Sequence, residues 1–246
     1  MVNDKMVHGL VFAAGLGTRL KPLTDTMPKA LVPLAGKPLL QWQVEKLRDA
    51  GITDIMVNVH HFPDMIIDTI RANQGWGCAI TVSDERDLLL DTGGGLKKAV
   101  TGYGLQVTRE PILACNVDIL SNIDIKDLIR CYEQTGVSQL VVSDRQTQRY
   151  LCFDEQNTLC GWTNIKTGEI KGSDGRHLAF SGMQILSPET LSHLQDMSEE
   201  KFSLIDFYLK VMNEAPLQAY VPTDYRMMDV GKIDQIDEAE RFAESL

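Results

Sequence analysis

Leu10-Val11-Phe12-Ala13-Ala14-Gly15-Leu16-Gly17-Thr18-Arg19-Leu20-Lys21-Pro22-Leu23-Thr24, followed closely by Pro28-Lys29-Ala30-Leu31-Val32-Pro33, is the stretch that decides the reading of this chain. An apolar strand ends in small residues and two glycines, and cationic side chains follow at once. The arrangement suits a backbone loop wrapped around a polyphosphate. Glycines let the main chain approach a ligand and turn its N–H groups inward. Arg19 and Lys29 stand ready to neutralise phosphate charge.

Two common phosphate loops fit poorly. A dinucleotide loop reads G-x-G-x-x-G with an acidic residue about 20 positions on. Here Leu20 stands where the third glycine belongs, and Leu34 to Gly36 offers no carboxylate. A P-loop reads G-x-x-x-x-G-K-[ST]. Gly36-Lys37 is followed by Pro38, and Leu31 occupies the first glycine's place.

Outward from this loop, strands and helices alternate. Val7–Phe12, Asp54–Val59, Ala79–Ser83, Pro111–Cys115 and Ser138–Asp144 read as strands. Leu39–Ala50, Pro63–Asn73, Gly95–Thr101 and Asp124–Thr135 read as helices. The rhythm predicts an α/β fold, a mostly parallel sheet with helices on both faces. Ligands in such sheets bind beyond the carboxyl ends of the strands, where both Gly15 and Asp118 fall. Tyr150 to Phe180 changes character and predicts a small β-rich excursion, a lid on the substrate side. Strand Phe180–Leu186, helices Pro188–Gln195 and Phe202–Asn213, strand Leu217–Val221 and helix Ile233–Ser245 complete the chain. The 246 residues read as a single domain, 1–246, with 150–180 as its excursion.

Composition narrows the classes. The formal net charge of −10 argues against nucleic acid or an anionic membrane as the main partner. Cys78, Cys115, Cys131, Cys152 and Cys160 are scattered without C-x-x-C spacing, as expected of reduced thiols in the cytoplasm. Met1 to His8 is too short for a signal peptide, and no run of 18 apolar residues spans a membrane. The histidines form no Ser/His/Asp or H-E-x-x-H arrangement.

Two carboxylates suggest a metal site. Ile112-Leu113-Ala114-Cys115-Asn116-Val117-Asp118 delivers one at a strand end, and Met227-Met228-Asp229-Val230-Gly231 delivers another. Hard oxygen ligands combined with phosphate oxygens suit Mg²⁺. A third patch, Leu90-Asp91-Thr92-Gly93-Gly94-Gly95-Leu96, opens a helix. Free N–H groups and the positive dipole end there favour an anion or a base carbonyl. Glu85 and Asp91 are both acceptors that could discriminate a base N–H.

The run from Leu10 to Leu39, with Pro28-Lys29 and Gly36-Lys37-Pro38, resembles the signature of sugar-1-phosphate nucleotidyltransferases. The resemblance implies a Rossmann-like fold and a nucleoside triphosphate and a sugar 1-phosphate as partners. It places Ala13, Ala14, Gly15, Gly17, Thr18, Asp91, Gly93, Gly94 and Asn116 on the nucleotide. Arg19 would grip the outer phosphates and Lys29 the phosphate under attack. Asp118 and Asp229 match the family's Mg²⁺ positions. Phe180-Ser181-Gly182-Met183 resembles its F-[ST]-G sugar segment, implying sugar contacts at Ser181 and Gly182. Many relatives carry E-K-P, whose lysine holds the sugar phosphate; this chain reads Gly161-Trp162-Thr163-Asn164 instead. Trp162 and Asn164 become sugar-side candidates, and the phosphate cation is unassigned, with Lys166 and Arg176 as substitutes. The Asp-Thr-Gly-Gly-Gly run resembles the N-acetylmuramate-1-phosphate uridylyltransferase branch most closely, which implies UTP and cell-wall sugar recycling. The alternatives are a mannose-1-phosphate guanylyltransferase and a catalytically silent regulatory relative. The latter tends to lose the arginine, lysine or metal carboxylates, all four of which are present here.

Overall fold

A computed structural model of the chain describes residues 7–102 and 109–246. Most of Met1 to His8, read above for a leader, lies outside the described residues. In chain order, β1 (His8–Phe12) leads into the glycine loop, which carries short 3₁₀ turns. A two-residue hairpin, β2 (Pro33–Leu34) and β3 (Lys37–Pro38), precedes α1 (Leu39–Asp49). Then come β4 (Asp54–Val59), α2 (Pro63–Ala72), β5 (Ala79–Asp84), α3 (Asp91–Gly102), β6 (Ile112–Asn116) and β7 (Ile119–Ser121). Next are α4 (Ile125–Thr135), β8 (Ser138–Ser143), β9 (Arg149–Phe153), β10 (Leu159–Asn164), β11 (Glu169–Gly172) and β12 (Arg176–Leu186). α5 (Pro188–Ser192), α6 (Leu204–Val211), β13 (Leu217–Tyr220), β14 (Met227–Asp229) and α7 (Ile236–Glu244) close the chain.

The N-terminal half of the sheet is parallel, with β1 between β4 and β6, and β5 outside β4. Parallel strands require both faces covered, and β1 is buried along its whole length. Val11 faces one core, with Leu40, Val44 and Leu47 of α1, Ile66 of α2, Leu128 of α4 and Ala239 of α7. Leu10 and Phe12 face the other, with Leu96 of α3 and Phe207 and Tyr208 of α6. This alternation is the two-residue period of a strand dividing the core into two layers. The expected mostly parallel central sheet with helices on both faces is therefore present.

Strand β12 is the pivot between the two halves. It pairs antiparallel with β6 through Met183–Leu186, with β8 through Ala179–Ile185, and with β9 through Arg176–Leu178. The small antiparallel insertion β9–β10–β11 is thus continuous with the main sheet.

Several boundaries follow local chemistry. Pro63 opens α2, where a missing N–H is harmless. Asp124 caps α4 by accepting from the Lys126 and Asp127 amides, and Gly136, at φ 67°, ends it. Helix α3 begins at Asp91, so its three glycines lie inside the first turns rather than ahead of the helix. Strands β7 and β14 are only three residues each and were not legible in the sequence. No described helix is long and apolar enough to cross a membrane.

Candidate active site

A cleft of about 480 Å³ opens beyond the carboxyl ends of β1, β4 and β6. The glycine loop supplies Ala14, Gly15, Leu16, Gly17, Thr18 and Arg19 to its wall. At Gly15 an added Cβ would meet no protein atom within 4 Å, so that backbone faces open cleft. Gly17 has φ +63°, and a Cβ there would lie 2.8 Å from Thr24 Cγ2 and 3.0 Å from Lys29 Cβ. The Thr24 hydroxyl donates to the Gly17 carbonyl at 2.9 Å, and the Leu20 amide to the same oxygen at 2.8 Å. Gly17 therefore folds the loop back onto the turn that carries Lys29.

A measurable consequence separates this glycine from its neighbour. Gly36 also has positive φ, +77°, but a Cβ there meets nothing. Gly36→Ala should lose about 1 kcal/mol, the left-handed backbone term alone. Gly17→Ala should lose roughly 2–4 kcal/mol, because overpacking against Thr24 and Lys29 adds to it. Urea denaturation of both variants checks this; equal losses would contradict the proposed fold-back.

Lys29 is buried, 7% exposed, and its ammonium donates to Asp118 Oδ2. Asp118 sits just past β6 and also lines the cleft. The second carboxylate arrives through β14, which pairs antiparallel with β7 so that Asp229 lies opposite Ile119. The Val230 amide donates to the Asp118 carbonyl at 2.8 Å, stitching the two segments together. Lys46 of α1 pins β7 from below, donating to the Ser121 carbonyl and hydroxyl. Burial lowers the Lys46 pKa to about 8. Asp229 does not line the cleft but a second hollow against α7, and Arg19 reaches from the loop to within 3.8 Å of its Oδ2. Both groups of this pair are about half exposed and free to turn to a ligand. Asp118 and Asp229 each offer hard oxygen donors near the glycine loop, the ligand type that suits a divalent cation keeping several waters.

Other expected residues fall as follows. Ala13 is buried behind the cleft, its amide donating to Asn58 Oδ1 at 2.7 Å. Asn116 lines the cleft, and Gly182 packs against its amide, where a Cβ would sit 2.8 Å from Nδ2. Ser181 is buried beside it in β12. Trp162 and Asn164 do not line the cleft. The indole packs on the second core with the Lys171 ammonium 5.5 Å from its ring centroid, and Asn164 closes the turn after β10.

The helix-start patch separates the two open acceptors. Glu85 is 1% exposed and does not line the cleft. It accepts from Asn58 Nδ2 at 2.8 Å and from the Leu90 amide, tying β4 and β5 to the start of α3. Burial raises its pKa, and those hydrogen bonds oppose the rise. Asp91 lines the cleft at φ +63°, a conformation rarely held by a non-glycine residue. Its Oδ1 accepts from the Thr92 amide at 2.6 Å. Gly93 and Gly94 do not line the cleft, and both of their amides donate to the Phe202 carbonyl, at 2.9 and 3.1 Å.

Sequence reasoning missed Asn58, Leu89 and Lys201, all of which line the cleft. Asn58 ends a strand beside the loop, a position that could have flagged it; Lys201 carries no local motif. It also missed a grouping on the insertion, where ligand atoms of Cys152, Asp174 and His177 lie within 4.8 Å of one another.

A glycine loop, two cations and two carboxylates beyond the strand ends compose a site suited to phosphate transfer. A family model described as nucleotidyl transferase matches residues 8–245, and the chain belongs to that family. It is similar to the N-acetylmuramate alpha-1-phosphate uridylyltransferase of Neisseria meningitidis serogroup B, with 29% identity over 241 residues, 96% of this chain and 98% of that protein. The protein of the same name from Caulobacter vibrioides is 43% identical over 111 residues, a match spanning 44% of each chain. Mannose-1-phosphate guanyltransferase 2 of Candida glabrata is 29% identical over 231 residues, 92% of this chain and 62% of that one. The crystal structure of HddC from Yersinia pseudotuberculosis complexed with GMP-PN shares the fold, with a TM-score of 0.73, 24% identity, and coverage of 96% of this chain and 99% of that one.

Proposed function

We propose that this protein joins a nucleoside monophosphate to a sugar 1-phosphate and releases pyrophosphate. The observation that carries the reading is the Lys29–Asp118 ion pair set under the glycine loop, with Asp229 and Arg19 beside it. A sugar-phosphate oxygen attacks the α-phosphorus of the triphosphate in line, and the bond to the β-phosphate oxygen breaks. The attacking sugar-phosphate oxygen is already anionic, so no general base is needed, and pyrophosphate leaves with the bridging oxygen. Catalysis of this kind rests on positioning and charge neutralisation. Lys29 stabilises charge developing on the α-phosphate, and Arg19 stabilises the departing pyrophosphate. Gly15 and Gly17 give the triphosphate a backbone surface. Asp118 and Asp229 would hold Mg²⁺, which when bound neutralises phosphate charge and orders the reacting oxygens.

UTP is the proposed donor and N-acetylmuramate 1-phosphate the proposed acceptor, supported by the similarity to the Neisseria and Caulobacter proteins so named. Asp91 is the acceptor that faces the cleft, and its Oδ2 has no hydrogen bond among the described residues, so it can take the uracil N3–H. Cytosine lacks that hydrogen and turns its own N3 lone pair toward the Asp91 carboxylate, an acceptor facing an acceptor. UTP should exceed CTP by at least about a hundredfold in kcat/KM. Steady-state rates at equal Mg²⁺ test the choice. If GTP is the better donor, the second reading, a mannose-1-phosphate guanylyltransferase, replaces this one; the Candida relative supports it.

A further inference from the structure

Two of the three glycines at the start of α3, Gly93 and Gly94, do something other than offer free amides. A Cβ at Gly93 would lie 2.4 Å from the Phe202 ring and 2.8 Å from the Ser203 carbonyl oxygen. A Cβ at Gly94 would lie 2.3 Å from the Glu200 carbonyl oxygen. Neither overlap is tolerable without displacing the segment at 200–203. That segment is also sewn down by hydrogen bonds. The Phe202 carbonyl accepts from the Gly93 and Gly94 amides, the Phe202 amide donates to the Leu90 carbonyl, and the Leu204 amide donates to Thr92 Oγ1. Glu200 and Phe202 are thereby clamped to α3, and the residue between them is Lys201, which lines the cleft.

The charge balance of the cleft gives this lysine a purpose. Its lining carries three cations, Arg19, Lys29 and Lys201, against the carboxylates of Asp91 and Asp118. Lys29 is engaged by Asp118, and Arg19 leans toward Asp229. Lys201 is exposed and makes no hydrogen bond or ion pair among the described residues. Without it the lining is neutral, a poor receptacle for two phosphate-bearing substrates.

We propose that Lys201 binds a phosphate oxygen of a substrate, and that Gly93 and Gly94 act by seating the segment that carries it. The proposal rests on the nucleotidyl-transfer reading above. A lysine is a compact point charge with three donors and suits a phosphate in a cleft. The shared chemistry is the phosphate anion; its source is either the triphosphate or the sugar 1-phosphate.

Steady-state kinetics and direct binding by calorimetry of UTP and of the sugar 1-phosphate, each alone, test this on the wild type, Lys201→Met, Lys201→Arg, Gly94→Ala and the Lys201→Met/Gly94→Ala double variant. Lys201→Met should raise the KM for one phosphate substrate at least about tenfold, the loss expected of a charged hydrogen bond, with a smaller change in kcat. Lys201→Arg should recover most of that loss. Weakened triphosphate binding assigns the contact to the nucleotide; unchanged triphosphate binding with weakened sugar-phosphate binding assigns it to the acceptor. Gly94→Ala should repeat the defect, and the double variant should be little worse than the worse single one. Lys201 is exposed, so its substitutions spare the fold and decide the matter even if Gly94→Ala does not fold. KM and binding constants of Lys201→Met within twofold of wild type for both substrates would overturn the proposal. A folded Gly94→Ala with altered base preference, additive with Lys201→Met, would overturn the seating role. If the wild type releases no pyrophosphate with any pair, the functional reading falls, and the binding constants still decide the lysine.

Discussion

Asp118→Asn and Asp229→Asn are each expected to lower turnover by at least about a hundredfold, the usual consequence of losing a charge that stabilises the reacting phosphate. The two variants should differ in stability. Asp229 is half exposed and its pairing with Arg19 is long, so its removal leaves the fold intact. Asp118 is the partner of a lysine that is 7% exposed. Truncation to alanine would leave that ammonium buried without a counter-charge, a loss of roughly 3–5 kcal/mol. The asparagine keeps an oxygen acceptor for Lys29 and so isolates the charge from the packing. Rates in Mg²⁺ and thermal midpoints of Asp118→Asn, Asp118→Ala and Asp229→Asn check both expectations. Near-wild-type turnover in either asparagine variant would remove that residue from the site.

Lys29→Met should lower kcat by roughly a hundredfold or more while changing the KM for the triphosphate much less. Its ammonium is held by Asp118 in the resting site, so its gain comes when charge shifts onto the α-phosphate. Arg19 is different. It lies 59% exposed at the mouth of the cleft and is expected to contribute to triphosphate binding as well as to turnover. Arg19→Ala should therefore raise KM and lower kcat together. Single-turnover rates at saturating substrate separate binding from chemistry. A Lys29→Met enzyme with normal kcat and raised KM would assign Lys29 to ground-state binding instead.

What the sequence disclosed follows from how local each signal was. Strand β4 and helix α1 were legible because a full period of apolar residues spans each. The glycine loop was legible because Gly15, Gly17, Arg19 and Lys29 lie within one continuous run. The β7–β14 pair was invisible, since three residues carry no period, yet it sets Asp229 beside the Asp118 backbone. The glycines of α3 suggested open amides, and their occupation depends on Phe202, over a hundred residues away. Lys201 had no motif, because it reaches the cleft only through that long-range packing. That Glu85 is buried away from the cleft while Asp91 lines it depends on tertiary packing, which sequence spacing does not report.

The most direct test of the account is a matrix of the four nucleoside triphosphates against several sugar 1-phosphates, N-acetylmuramate 1-phosphate and mannose 1-phosphate among them, with pyrophosphate release and nucleoside diphosphate-sugar formation read together. The account predicts that pyrophosphate forms only when both substrates are present, in equal amount with the nucleotide sugar, and fastest with UTP and N-acetylmuramate 1-phosphate. No pyrophosphate from any pair, or triphosphate breakdown that needs no sugar phosphate, would contradict it.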